Sequence, residues 1–119
     1  MTRPYMAPEP FRLCPPQPKA VGYLSESLSG SACERDELAI SALARSLGYD
    51  LVRTLCFGPE VADPMPRLLR VVGRTGAVAV VTPTIEHLPD PPLIRRECDL
   101  ITVSPERISV RTSRFGEGG

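Results

Sequence analysis

Ala77-Val78-Ala79-Val80-Val81 is the stretch on which the reading of the fold turns. A run this short and this apolar, valine-rich and bounded by Gly76 and Thr82, suits a strand covered on both faces. Such a strand belongs to a parallel sheet, because crossover helices are what hide both faces. Immediately upstream, Asp63-Pro64 offers a cap followed by proline at the first helical position. It opens a helix through Leu68, Leu69 and Val72, which Gly76 can close. Further back, Asp50 to Phe57 alternates and is β-rich, a second strand. Ile40, Leu43, Ala44 and Leu47 recur at i, i+3, i+4 and i+7, one face of a helix that Gly48 ends with a left-handed cap. Ser31-Ala32-Cys33-Glu34 has the S-x-x-E form of a capping box ahead of it. Ala20-Val21-Gly22-Tyr23-Leu24 reads as a central strand, and Ser25 to Ser31 as a polar loop.

Strand, helix, strand, helix, strand with short links implies right-handed βαβ crossovers. Downstream, Thr82 to Asp90 reads as a loop and Pro91 to Glu97 as a short helix. Leu100–Val103 and Ile108–Val110 read as strands joined by the turn Ser104-Pro105-Glu106-Arg107. The expected fold is α/β, a three-layer sandwich around a mainly parallel sheet of four or five strands.

The chain has 119 residues, enough for one core. Residues 1–19 carry Pro4, Pro8, Pro10, Pro15, Pro16 and Pro18 and are expected to form a disordered arm. Residues 20–112 form the α/β domain, and the Gly-rich 113–119 a flexible tail. Hydrophobic residues make up 42%, which is globular rather than disordered, and with no Trp the core rests on aliphatic side chains. Fourteen basic residues balance fourteen acidic ones, whereas a domain that grips duplex DNA alone usually has a basic excess. No run is long enough to span a membrane, and the N-terminus shows no signal-peptide pattern. Cys14, Cys33, Cys56 and Cys98 form no C-x-x-C pair, so they read as reduced thiols of a cytoplasmic protein, with no metal and no cofactor expected.

The layout resembles the catalytic domain of the serine recombinases, the resolvases and invertases. That family opens with a strand of the form G-Y-x-R-x-S, and here stand Gly22-Tyr23-Leu24-Ser25-Glu26-Ser27. It continues with a helix ending in a small apolar run and G-Y, matched by Ala42-Leu43-Ala44-Arg45-Ser46-Leu47-Gly48-Tyr49. The place of its D-R-L-x-R motif is taken by Ile85-Glu86-His87-Leu88-Pro89-Asp90. The resemblance runs over residues 20–90. It implies a serine nucleophile that attacks a DNA phosphodiester, with arginines stabilising charge on the phosphate oxygens.

Ser27 holds the nucleophile position, but the arginines do not follow. Ser25 replaces the first, His87 and Asp90 the pair in the later motif, and Asp63-Pro64 an Arg-Pro that often opens the second helix. Losing one charge stabiliser costs about a hundredfold in rate or more, so Ser27 reads as a vestigial nucleophile. The long dimerising helix and the DNA-reading domain of resolvases also find no counterpart in residues 91–119. The resemblance therefore implies a pseudoenzyme that acts by binding, in a DNA-associated system, with DNA, a DNA-associated protein or a second copy as partner.

Two other readings stand beside it. One is residual strand transfer through Ser27, with arginines brought by a partner chain. The other is a small-molecule or nucleotide site in which Ser25, Ser29, Ser31 and Arg35 hold an anion ahead of a helix N-terminus. Loop polarity accounts for those serines equally well, since no G-x-G or G-K-[ST] pattern accompanies them. His87 is expected at the surface or a strand end, and Cys56 in the core. Arg67, Arg70 and Arg74 share one helix face, the ordinary look of a solvated side.

Overall fold

The computed structural model describes residues 17–111; the proline-rich arm up to residue 16 and the tail from residue 112 lie outside them. Five strands build one sheet: β1 (Lys19–Ser25), β2 (Asp50–Phe57), β3 (Ala79–Thr82), β4 (Asp99–Thr102) and β5 (Arg107–Ser109). Four helices accompany them: α1 (Glu26–Ser29), α2 (Cys33–Ser46), α3 (Pro64–Thr75) and α4 (Pro91–Glu97). Strand order is β2-β1-β3-β4-β5, a doubly wound order. The pairs β1–β2, β1–β3 and β3–β4 are parallel. Only β5 runs antiparallel, against β4. Its connection, Val103 to Glu106, is too short for a parallel crossover.

Two apolar clusters sandwich the sheet. On one face Val21, Tyr23, Val80 and Leu100 meet Leu68 and Val72 of α3 and Ile94 of α4. On the other, Ala20, Leu24, Ala79, Val81 and Ile101 meet Ile40 and Ala44 of α2. Alternate residues of β1 and β3 thus feed opposite cores, which is why the 77–81 run has no polar position to spare. The α/β three-layer arrangement follows, with β1 and β3 innermost. Truncating either layer's central side chain, Ile40 or Leu68, to Ala removes about 2–5 kcal/mol of stability.

Local details depart from the sequence pattern in instructive ways. Ser25 to Ser31 is not a loop: the chain turns directly from β1 into α1 and then a 3-10 turn, Gly30–Ala32. The expected capping box is absent. The N-cap of α2 is Ala32, with no side-chain cap bond, because the preceding 3-10 turn already accepts the Cys33 amide at the Gly30 carbonyl. Asp63 likewise makes no cap bond, although Pro64 does open α3. The Asp cap forms at α4 instead, where Asp90 accepts from Leu93 N–H at 3.3 Å. β3 begins two residues later than the apolar run, since the Gly76 and Ala77 amides both turn back to the Val72 carbonyl, at 3.0 and 3.1 Å. His87 and Cys56 also depart from expectation: His87 is buried and Cys56 exposed.

Gly22 marks the tightest approach of sheet and helix. A Cβ there would stand 2.9 Å from Ile40 Cγ2 and 3.0 Å from Thr54 Oγ1. Gly73, inside α3, has open space around it. Gly22→Ala is therefore expected to lose about 1–3 kcal/mol through overpacking. Gly73→Ala is expected to gain about 0.5–1 kcal/mol from helix propensity. Urea denaturation of the two variants beside the parent checks both signs.

Candidate functional site

In an open α/β sheet the chain leaves the central strands in opposite directions, and the crevice so formed lies beyond their C-terminal ends. Here the crevice falls between β1 and β3, because β1 stands between β2 and β3. Ser25 ends β1 there, and Glu26, Ser27 and Leu28 follow it in α1. From the other side, β3 runs through Pro83 and Thr84 into a 3-10 turn, Ile85–His87.

These two exits are joined by one hydrogen bond. The Ser25 backbone N–H donates to His87 Nδ1 at 2.9 Å, across 62 residues of sequence. β3 pairs with β1 only as far as Gly22, so this amide lies beyond that ladder. An amide at a half-buried strand end needs an acceptor, and the imidazole supplies one. His87 is 8% exposed. Burial lowers its pKa below the ordinary 6.5, while Asp36 and Glu86 act in the opposite sense. A ring that accepts at Nδ1 carries its proton on Nε2 and is neutral.

The candidate anion ligands do not assemble into one cradle. Ser25 faces the crevice through its amide. Ser29 is buried, and its hydroxyl donates to Asp36 Oδ2 at 2.6 Å. Ser31 and Arg35 are exposed and bond to none of the described residues through their side chains. Ser27 is exposed too, in the first turn of α1, and its hydroxyl likewise has no partner among the described residues.

Carboxylates stand at this exit as well, Glu26 beside Ser27 in α1 among them. Glu26 and Glu60 turn their carboxylates together beside Gly58, in the space a Cβ there would take. Asp36 and Glu86 act on His87. Cys56 reaches Cys33 at the start of α2, and its thiol is pushed up to about 11 by desolvation first, then by Cys33, Glu26 and Glu37. A thiol so protonated is a weak nucleophile at neutral pH. Among the described residues no group of three or more His, Cys, Asp and Glu side chains is placed to hold a metal ion. No helix among them is long and apolar enough to cross a membrane.

The sequence pattern put Ser25 and Ser27 in a polar loop after the first strand, and it did not reveal the acceptor role of His87. The available signal was the position of His87 in the stretch that stands for the D-R-L-x-R motif, whose side chains the resemblance assigns to the same site as Ser27. Comparisons with known protein families, curated proteins and solved structures find no match to this chain.

The lowered His87 pKa fixes a sign. Below 6.5 the unfolded chain takes a proton on this ring that the folded chain resists, so stability falls as pH drops below 6.5 and levels off below the folded pKa. Thermal unfolding from pH 8 to pH 5 should show that loss. In His87→Gln, whose side chain can also accept the Ser25 N–H, the component due to His87 should vanish.

Proposed function

We propose that this chain is a resolvase-like domain that has lost strand-transfer chemistry and works by binding within a DNA-associated system. One observation carries the loss of chemistry: a neutral His87, bonded to the Ser25 amide, stands where the resemblance calls for a phosphate-gripping arginine. Glu26, which precedes Ser27, and Asp36 and Glu86, which act on His87, support the same reading, because a phosphodiester entering at the β1 exit would meet like charge. Guanidinium forks stabilise the oxygens of a transferring phosphoryl group, and an imidazole occupied by a backbone amide offers no equivalent.

The DNA-associated part of the proposal rests on the opposite character of α3. Arg67, Arg70 and Arg74 all lie exposed on it, and no acidic residue falls between Pro64 and Gly76. Zero net charge thus conceals an uneven distribution, with carboxylates at the Ser27 edge and guanidiniums on one helix. Arginines spaced along a helix suit contacts to successive phosphates. A cytoplasmic location, from the thiols without a C-x-x-C pair, and a homodimer, from the resemblance, belong to the same reading.

Two measurements test it. Duplex and nicked DNA incubated with the protein, beside Ser27→Ala, should give no covalent adduct on a denaturing gel. An adduct that disappears in Ser27→Ala would make the protein a recombinase after all. Binding of duplex DNA should weaken with salt, and replacing Arg67, Arg70 and Arg74 together by Gln should reduce the log–log salt slope by about 1 for each phosphate no longer neutralised. An unchanged slope would remove α3 as the DNA-facing surface.

A further inference from the structure

A cavity of about 320 Å³ lies over the C-terminal end of β4. One wall is the stretch after β3, with Ile85 and Glu86; the other is the β4–β5 connection and the start of β5, with Ser104, Pro105 and Arg107. Thr102, the last residue of β4, closes it below.

The walls are tied before any ligand arrives. Val103 N–H donates to the Thr82 carbonyl at 3.0 Å, and Ser104 N–H to the Pro83 carbonyl at 2.9 Å. Thr102 Oγ1 donates to the Pro105 carbonyl at 2.7 Å. The connection is thereby held to the β3 exit and to the end of its own strand, so little ordering remains to be done on binding.

The cavity holds one charge of each sign that is unpaired among the described residues. Glu86 and Arg107 line it from opposite sides of β4, and neither forms an ion pair or a side-chain hydrogen bond with a described residue. Had the two closed on each other, the cavity would have no charged specificity. Left apart, they ask for a ligand that carries both signs at once. Ile85 is 47% exposed at the same place, an apolar side chain that the two cores do not use. The volume is at the small end of ligand sites, which run from about 300 to 1,000 Å³.

We infer that this cavity binds a small zwitterion with an apolar side chain, an α-amino acid. Its carboxylate meets the Arg107 guanidinium and the Ser104 hydroxyl. Its ammonium meets Glu86, and its side chain lies on Ile85 and Pro105. Glu86 adjoins His87 in the same 3-10 turn, so an occupied cavity bears on the turn that supports Ser25. The inference stands apart from the DNA-associated reading: loss of amino-acid binding leaves the salt slope untouched, and the reverse.

The test titrates the full chain with L-leucine, followed by amide chemical shifts and by calorimetry. Two truncated probes accompany it: leucinamide, which lacks the carboxylate, and 4-methylpentanoate, which lacks the ammonium. L-Leucine should bind saturably with shifts centred on residues 84–86 and 104–109. Each truncated probe should bind at least about tenfold more weakly, the order expected for one charge-assisted hydrogen bond. In Arg107→Gln the advantage of leucine over leucinamide should disappear, and in Glu86→Gln its advantage over 4-methylpentanoate. Both sites are exposed, so the variants are expected to fold, which their amide spectra verify. The proposal is overturned by no saturable binding of L-leucine, by equal binding of a truncated probe, or by affinities indifferent to both substitutions.

Discussion

The last amide of the central strand governs the character of this molecule's sheet edge. Ser25 N–H lies past the point where β3 pairs with β1, and it is satisfied by His87 Nδ1 at 2.9 Å. An imidazole that accepts there is neutral, and burial favours the same state. One backbone requirement therefore decides the electrostatics of the crevice. His87, at the strand-to-helix exit, contributes no positive charge, and the carboxylates of Asp36 and Glu86 act on it.

The fold that creates this edge depends on equally local facts. Gly22 lets Ile40 of α2 settle against β1, and β3 is apolar at each position because a different helical layer covers each face. Charge follows the same layering. Exposed arginines lie along α3, while the crevice and the start of α2 carry acids. A chain with equal numbers of basic and acidic residues can thus present unlike surfaces to unlike partners.

Much of this architecture was legible in the sequence, for physical reasons. The 77–81 run, the periodic face from Ile40 to Leu47 and the Pro64 start all express burial, and burial writes itself as period. β2 from Asp50 to Phe57 and α4 from Pro91 to Glu97 fall where alternation and proline put them. The stretch from Ser25 to Ser31 did not read correctly. Serine and glycine suggest a loop, yet Ser29 is buried and bonded to Asp36, which draws the segment into helical turns. His87 was illegible for a deeper reason: its role depends on the unpaired amide of Ser25, a residue 62 positions away. Cys56 was misjudged as core because β2 is an edge strand, and edge position is a property of strand order rather than of local pattern.

The ring of His87 is the most direct place to test this account. Its two nitrogens report tautomer and charge separately in a nitrogen-15 spectrum recorded across pH. The expected result is a neutral ring at pH 7, protonated on Nε2, with Nδ1 shifted as a hydrogen-bond acceptor and a titration midpoint below 6.5. A midpoint at or above 6.5, or a proton on Nδ1, would contradict it and return a positive charge to the Ser27 edge.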